Sequence, residues 1–568
     1  MPNSKSALLA GDESRTVFYR KFLIFIAGLG GLLYGIDVGI IAAALLYLSK
    51  AVNLTVGQTS VIVAAVLGGS MLSSPVAGVL ADWFGRKKMM TVSGLMFIAS
   101  VALIVASQGF IPLFLGRLLQ GMSGGVIAVV VPLYLAESLG ADNRGRGTAV
   151  FQFMLTFGIA LAALIGWFYT RKAEAAIAQA AGNPMLIHAA QNHAWRGMFL
   201  AVIYPGLLFF AGTYFLTETP RWLLRRGKSD EALKALRRSS SEEEAELELR
   251  EMQILASQTQ KKATSGDSGS LLQRKYVIPF LLACFILACN QATGINSVLG
   301  FLVIILRQAG MTATHATQSD VAVKLLNCAM TLVAVALVDK KGRKFLLKIG
   351  TAGVILALTA AAILFFGFES KHTDVRNKLQ AAQIGNQLVM PVTQATLGPV
   401  DGGRPMALTV LYSYGHGNHI ATVLTDSSNP VLAITPDAES ANAPLIITRA
   451  FYGPVPPEQT GWLIALCMAL FIAAYSVGPG VVVWLTLSEL MPMRIRSMGM
   501  GIALLLNQGV STLIAAVFLP VVGNHGYYAM FLFWAGCTVL YFCTAAFFLP
   551  ETKGKTLEQI EMYFERGR

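Results

Sequence analysis

The chain has 568 residues, of which 44 are Lys or Arg and 31 are Asp or Glu, so its formal net charge is +13. Charged residues make up only 13% of the sequence and hydrophobic residues 55%, too few polar groups to cover the surface of a soluble fold of this size. This composition excludes a disordered chain, a disulfide scaffold and an ordinary soluble enzyme, and it indicates a polytopic membrane protein.

Apolar stretches long enough to cross a bilayer occur twelve times. We predict spans near 22–48, 58–81, 89–107, 111–136, 148–170, 197–217, 276–306, 318–338, 346–368, 460–485, 498–522 and 528–549. Their continuous hydrophobicity excludes a β-barrel, whose strands alternate. If the N-terminus is inside, 32 of the 44 basic residues fall in cytoplasmic segments. We therefore expect both termini in the cytoplasm, and we attribute the positive charge to membrane topology and not to nucleic-acid binding.

This pattern divides the chain into five regions. They are an N-terminal tail (1–21), a six-helix bundle (22–217), a cytoplasmic helical linker (218–275), a second six-helix bundle (276–549) and a C-terminal tail (550–568). In the linker, Ser229 and Ser241 precede acidic residues, as is typical of helix starts. The second bundle carries an insert, 369–459, with β-like runs at 407–412 and 430–435. We expect this insert to form an extracytoplasmic cap or lid.

The two halves repeat charged motifs at the predicted cytoplasmic ends of their helices. Asp-x-x-Gly-Arg-Lys follows spans 2 and 8, a carboxylate with Arg seven residues later follows spans 4 and 10, and a Glu-Thr segment follows spans 6 and 12. The residues selected from these motifs are Asp82, Arg86, Glu137, Arg144, Glu218, Arg221, Asp339, Arg343, Glu489 and Arg496. We predict that they form a cytoplasmic latch of charge-assisted bonds between helices of one half. Solvated loop charges are the simpler alternative.

These motifs, together with residues 30–37, 291–296 and 550–558, resemble those of the sugar porter family of the major facilitator superfamily. Within this family the chain resembles bacterial proton-coupled sugar symporters, and the resemblance covers nearly all of the chain except 369–459. It implies an all-α membrane protein with twelve transmembrane helices in two pseudo-symmetric six-helix bundles, which transports its substrate by alternating access. No catalytic set or metal-ligand cluster is apparent, so we expect no enzyme activity, cofactor or metal.

A sugar is neutral and covered in hydroxyls, so its binding site needs amide groups and an aromatic face. By resemblance to the family's pocket, we predict substrate contacts from Gln152, Asn290, Gln291, Asn296, Asn327, Trp484, Asn507 and Gln508. For any one of these residues, hydrogen bonding between helices is the alternative role. A frequent aromatic residue of the family is replaced here by Gly300, so a hexose, a pentose, a polyol and an inositol all remain open as substrates.

Asp37 lies in the middle of span 1, where an ionised carboxylate is costly unless it is paired. Arg117 in span 4 is its predicted partner, either in a proton-controlled switch or in a static salt bridge. The resemblance implies H⁺ symport, because proton-coupled members carry Asp at this position and passive glucose facilitators typically carry Asn. We therefore predict a monomeric sugar:H⁺ symporter of the cell membrane that imports a monosaccharide. A passive facilitator and a membrane sugar sensor are the alternatives.

Overall fold

The structure is a computed structural model that describes residues 3–139, 141–264, 273–398, 405–415, 417–426, 430–436, 442–483, 490–491, 496–551, 559 and 563–564. Within these residues, 12 helices are long and apolar enough to cross a membrane. Spans 1 to 6 are Thr16–Gly39, Val56–Phe84, Arg86–Ala106, Phe110–Ser138, Ala149–Gln179 and Pro184–Tyr214. Spans 7 to 12 are Tyr276–Gln308, Ala313–Val338, Arg343–Glu369, Glu458–Val483, Gly499–His525 and Tyr527–Phe548. The predicted twelve transmembrane helices are therefore confirmed.

Span 1 ends earlier than the sequence predicted. The helix stops at Gly39, and a separate short apolar helix, Ile41–Ala51, continues in place of the rest of the predicted span. Gly39 lies directly against span 5, since a Cβ atom added there would come within 2.9 Å of the Ile159 carbonyl oxygen. Glycine permits this close approach of the two helices, and hydrophobicity alone does not reveal the break.

Span 7, the first span of the second half, is also interrupted. Its two helices are Arg274–Ala292 and Ile295–Gln308, and they meet at Gly294, whose φ is +82°. A side chain here would be strained, and a Cβ atom would also collide with the indole of Trp534 at 2.3 Å. Broken helices of this kind bring backbone and side-chain polar groups to transporter binding sites.

Three helices form the linker between the two halves: Pro220–Arg225, Ser229–Ser239 and Glu242–Thr264. As predicted, a helix begins at Ser229 and another follows Ser241. The Ser241 hydroxyl accepts a hydrogen bond from the Glu244 amide (3.4 Å), and the Glu244 carboxylate accepts one from the Ser241 amide (3.2 Å). This reciprocal pair is a capping box, which stabilises the start of the helix.

The insert between spans 9 and 10 is a small β-structure. Its strands are β1 (Thr373–Asp374), β2 (Leu388–Pro391), β3 (Met406–Ser413), β4 (Asn418–Leu424), β5 (Val431–Ile434) and β6 (Ile446–Pro454), with helices Arg376–Ala382 and Gln394–Leu397. All pairings are antiparallel: β1-β6-β3-β4 form one sheet, and β2 pairs with β5. Leu379, Leu408, Val410 and Ala450 are fully buried in a separate apolar core. The two β-like runs predicted from the sequence correspond to β3 and β5.

The insert contacts both halves of the protein. It is joined to the second half by its two ends, and the His372 ring at its start packs against Gly453 of β6. At the turn between β3 and β4, a Cβ atom on Gly417 would lie 3.1 Å from the Thr55 side chain, which caps span 2 of the first half. We call this side of the membrane the insert side and the opposite side the linker side.

Near the insert side, spans 2 and 11 pack tightly across the interface between the halves. Ala64 and Leu67 of span 2 form a buried cluster with Ala515 of span 11. Closer to the surface, the Ser60 hydroxyl accepts a hydrogen bond from the Leu519 amide at 3.1 Å. The two halves are therefore in direct contact on the insert side.

Candidate functional site

The break in span 7 gathers three of the predicted amides. The Asn296 amide nitrogen donates hydrogen bonds to Gln291 Oε1 (3.0 Å) and to the Ser511 hydroxyl of span 11 (2.8 Å). Asn290 Nδ2 donates to the Tyr475 hydroxyl of span 10 at 3.1 Å. Asn290 is 1% exposed, and its Oδ1 accepts no hydrogen bond from the described residues. These groups can therefore exchange internal bonds for bonds to a polar ligand.

Asn327 of span 8 joins the same region through span 10. Its Oδ1 accepts a hydrogen bond from the Ser476 hydroxyl at 2.7 Å. Ser476 begins a short π-helical segment, Ser476–Gly480, at the end of the α-helix Glu458–Tyr475. Segments of this type often mark functional sites, because they redirect the side chains of the helix.

Gln508 of span 11 crosses from the second half to the first. Its Nε2 donates to the Ser70 hydroxyl of span 2 at 3.3 Å. Its neighbour Asn507 is 1% exposed, and the Oδ1 of Asn507 lacks a hydrogen-bond partner among the described residues. A polar ligand between the halves would therefore compete with a bond that joins them.

The remaining predicted sugar residues are placed as follows. Gln152 is half-buried on span 5. One turn further along, the Thr156 hydroxyl lies 3.6 Å from Cys328 Sγ, which is next to Asn327 on span 8. Trp484, the predicted aromatic face, lies outside the described residues. The structure thus brings six of the eight predicted residues into hydrogen-bonding networks or buried positions on spans 7, 8 and 11.

Asp37 and Arg117 are close together in the structure. Arg117 Nη1 lies 3.7 Å from Asp37 Oδ1, and both side chains are 1% exposed. The same Nη1 donates a hydrogen bond to Gln120 Oε1 at 2.7 Å, and the guanidinium carbon lies 5.5 Å from the centre of the Phe199 ring. Within the described part of the chain, neither Asp37 oxygen accepts a hydrogen bond. The two groups therefore form a loose ion pair, whose arginine is held by other partners.

Two of the predicted latch residues of the first half, Asp82 and Glu137, meet a third, Arg86, which is 1% exposed. Its guanidinium binds Asp82 Oδ1 (2.7 Å) and Glu137 Oε2 (2.9 Å), and it donates to the Ala81 carbonyl (3.1 Å). Glu137 also accepts a hydrogen bond from the Thr219 hydroxyl at 2.7 Å. This arginine therefore joins spans 2, 3 and 4 to the start of the linker.

A carboxylate caps the corresponding helix in each half. Glu218 accepts hydrogen bonds from the first two backbone amides of span 3, at 2.9 and 3.1 Å. Glu551 does the same for the first two amides of span 9, at 3.1 and 3.2 Å. Acidic groups are favourable at helix N-termini. Burial raises the pKa of Glu218, and the bonds that it accepts from backbone amides oppose this rise.

Other predicted latch residues are placed differently. Within the described part of the chain, Arg221 makes no hydrogen bond or ion pair. Arg225 approaches Asp82 instead, with Nη1 3.5 Å from Oδ1. In the second half, Arg343 Nη1 lies 3.5 Å from the Val338 carbonyl oxygen. The side chains of Arg144, Asp339 and Arg496, and the whole of Glu489, lie outside the described residues.

Residues 23–390 and 443–564 match the family model described as sugar (and other) transporter. The chain belongs to this sugar transporter family. The glucose transporter GlcP of Staphylococcus epidermidis is 28% identical over 95% of this chain and 96% of its own length. A D-xylose transporter of Levilactobacillus brevis is 29% identical over 73% of this chain and 85% of its own. The proton myo-inositol cotransporter hmit-1.1 of Caenorhabditis elegans is 27% identical over 94% of this chain and 88% of its own length.

The inward open structure of the xylose transporter XylE from E. coli superposes with a TM-score of 0.65 at 21% identity, covering 95% of this chain and 98% of that one. This similarity confirms the predicted major facilitator fold. The chain is thus a multi-pass membrane protein of a sugar transporter family, and it is not an enzyme.

Several partners of the amides were absent from the sequence prediction. Tyr475 and Ser476 lie where the α-helix of span 10 passes into the π-helical segment, and Ser70 and Ser511 lie on spans 2 and 11. Ser511 is four residues after Asn507, so the two share one helix face, and this spacing could have revealed it. For Ser70 and Ser476 the sequence contains no such signal, because small hydroxyl residues are common in apolar helices.

Proposed function

We propose that this sugar transporter is a sugar:H⁺ symporter that imports a monosaccharide or a related polyol or inositol by alternating access. The insert side then faces outwards, and both termini lie in the cytoplasm below the cell membrane. The basic residues concentrated on the linker side support this orientation. The relatives named for glucose, xylose and myo-inositol support the substrate class.

The proposed sugar site is the network formed by spans 7, 8, 10 and 11. Its amides both donate and accept, which suits the many hydroxyls of a neutral sugar. They are held by neighbouring hydroxyls, such as Ser511 for Asn296 and Ser476 for Asn327, so their positions are set before the ligand arrives. A bound sugar would replace these internal bonds without leaving buried polar atoms unpaired.

The observation that carries proton coupling is the Asp37 carboxyl group. It is fully buried, 3.7 Å from an arginine that Gln120 already engages, and without a hydrogen bond from the described residues. A buried charge without hydrogen bonds is costly, and a proton on Asp37 removes that charge. Deprotonation would instead draw Arg117 towards Asp37 and move spans 1 and 4 relative to each other.

Tyr34 provides a physical route from this acid to the sugar site. It lies three residues before Asp37, so both occupy one face of span 1. A Cβ atom on Gly124 would touch the Tyr34 ring at 3.0 Å and Asp37 Oδ2 at 3.2 Å. The Tyr34 hydroxyl lies beside Gln508 and Ser70. A change in the charge of Asp37 would therefore alter the hydrogen bond between Gln508 and Ser70, which joins the two halves.

Purified protein in proteoliposomes tests this function. With the lumen one pH unit more alkaline than the medium, we expect radiolabelled D-glucose, D-xylose or myo-inositol to accumulate above its external concentration. Sugar entry should also make an unbuffered medium more alkaline, and a protonophore should abolish accumulation. Equilibration without accumulation would identify a passive facilitator, and binding without flux a sensor.

Asn296→Ala should weaken sugar binding about tenfold, because it removes an amide that bonds both Gln291 and Ser511 and that the sugar would use. Equilibrium binding of the three labelled sugars to protein in detergent measures this effect. Asn377→Ala, at an exposed asparagine of the insert, is the matched control and should bind normally. If Asn296→Ala binds as tightly as the wild type, span 7 does not hold the sugar.

A further inference from the structure

Span 8 contains a further buried ion pair, which the sequence analysis did not select. Lys324 Nζ is 2.8 Å from Asp320 Oδ2, one helical turn away, and the two side chains are 0% and 1% exposed. Asp320 Oδ1 accepts no hydrogen bond from the described residues. Burying two charges among membrane helices is costly, and such a pair contributes little net stability. Its presence therefore indicates a role other than holding span 8 in place.

Lys324 also reaches across to the other half of the protein. Its Nζ donates a hydrogen bond to the Gly39 carbonyl at 3.1 Å. Gly39 is the last residue of the span 1 helix, before the break that precedes Ile41–Ala51. Carbonyl groups at the C-terminal end of a helix lack partners within the helix and carry partial negative charge, so an ammonium group is favourable there. One lysine thus caps span 1 from span 8.

This contact lies towards the insert side of the candidate sugar site. Span 8 runs from the insert side at Ala313 to the linker side, so Lys324 precedes Asn327 by about one turn. Span 1 runs in the opposite direction, so Gly39 is on the insert side of Asp37. On that same side, spans 2 and 11 are packed together through Ala64 and Ala515. Opening the insert side would have to separate Lys324 from Gly39.

We propose that Lys324 is a gating residue that keeps the insert side closed by binding the C-terminal end of span 1, and that Asp320 positions its ammonium group. This inference rests on the proposed alternating-access transport. Because Gly39 is two residues from Asp37, the gate is attached to the same helix end that carries the proton-binding carboxyl group. Movement of span 1 in response to Asp37 is therefore transmitted directly to the gate.

A cysteine reporter at Ala64 tests this gate. Ala64 is 3% exposed in the closed contact with span 11. In a variant whose six native cysteines are replaced, Ala64→Cys should react slowly with a membrane-impermeant maleimide added on the insert side. Combining it with Asp320→Asn and Lys324→Met removes both charges together. This should raise the labelling rate about tenfold, because the closed state loses the free energy of one hydrogen bond to a charged group. Asp320→Asn with Lys324→Gln keeps a donor towards Gly39 and should give an intermediate rate.

Two controls separate gating from loss of folding. Lys228→Met with Glu231→Gln removes an exposed ion pair of the linker and should leave the labelling rate unchanged. Ala361→Cys, at a fully buried position of span 9, should stay unlabelled in every variant. Labelling of Ala64→Cys at the background rate in both Lys324 variants would overturn the proposal. Because the assay needs neither sugar nor a proton gradient, this result is independent of whether symport itself is found.

Discussion

Asp37→Asn should abolish uphill sugar accumulation while leaving exchange of labelled sugar across the membrane intact. Asparagine has nearly the same shape as aspartate but cannot bind and release a proton, so the carrier would move sugar without the proton gradient. One pH unit corresponds to about 1.4 kcal/mol, enough for a roughly tenfold concentration ratio with one coupled proton. In the variant this ratio should fall to about one, as expected for passive transport. Uptake and counterflow in proteoliposomes measure the two activities separately.

Two other carboxyl variants make this experiment specific. Glu174→Gln changes a half-buried acid of span 5 that accepts a hydrogen bond from Tyr47 at 2.8 Å, away from Arg117. It should accumulate sugar like the wild type. Asp37→Glu keeps a titratable group and should retain part of the accumulation. If Asp37→Asn accumulates sugar as well as the wild type, Asp37 does not couple proton and sugar movement.

Arg86→Met should lower the stability of the folded protein by about 3 kcal/mol or more, the range found when one partner of a buried ion pair is removed. The variant leaves Glu137 as a 7% exposed carboxylate that has lost its guanidinium partner. It also leaves the Ala81 carbonyl without this donor. A thermal or chemical unfolding series in detergent, followed by tryptophan fluorescence, measures the loss.

A double variant identifies the cause of this destabilisation. Adding Glu137→Gln to Arg86→Met removes the unpaired buried charge, so it should recover a substantial part of the lost stability. Asp82→Asn alone should cost less than about 1 kcal/mol, because the Asp82 side chain is 55% exposed. If Arg86→Met unfolds at the same temperature as the wild type, the Arg86 cluster is only a solvated set of loop charges.

The structure differs from the sequence prediction mainly where distant segments meet. The continuous apolar run 22–48 contains a helix break at Gly39, where span 1 lies directly against span 5. Arg225 and not Arg221 approaches Asp82, because the short helix Pro220–Arg225 turns its last residue towards span 2. Asp320 and Lys324 lie inside the predicted span 318–338 but were not selected as functional residues, yet both are fully buried and Lys324 bonds the Gly39 carbonyl of span 1.

From the amino-acid sequence we predict the number of spans, the two-fold repeat of charged motifs, and Arg117 as the partner of Asp37. The first two features depend on composition and local spacing along each helix, and the third depends on the high cost of an unpaired charge in lipid. The packing of distant segments was needed to show how the amides share hydroxyl partners, how the insert folds into β-sheets, and that Lys324 caps span 1. Those contacts join residues that are distant in the chain, and their free energy depends on which segments lie side by side, which no local pattern specifies.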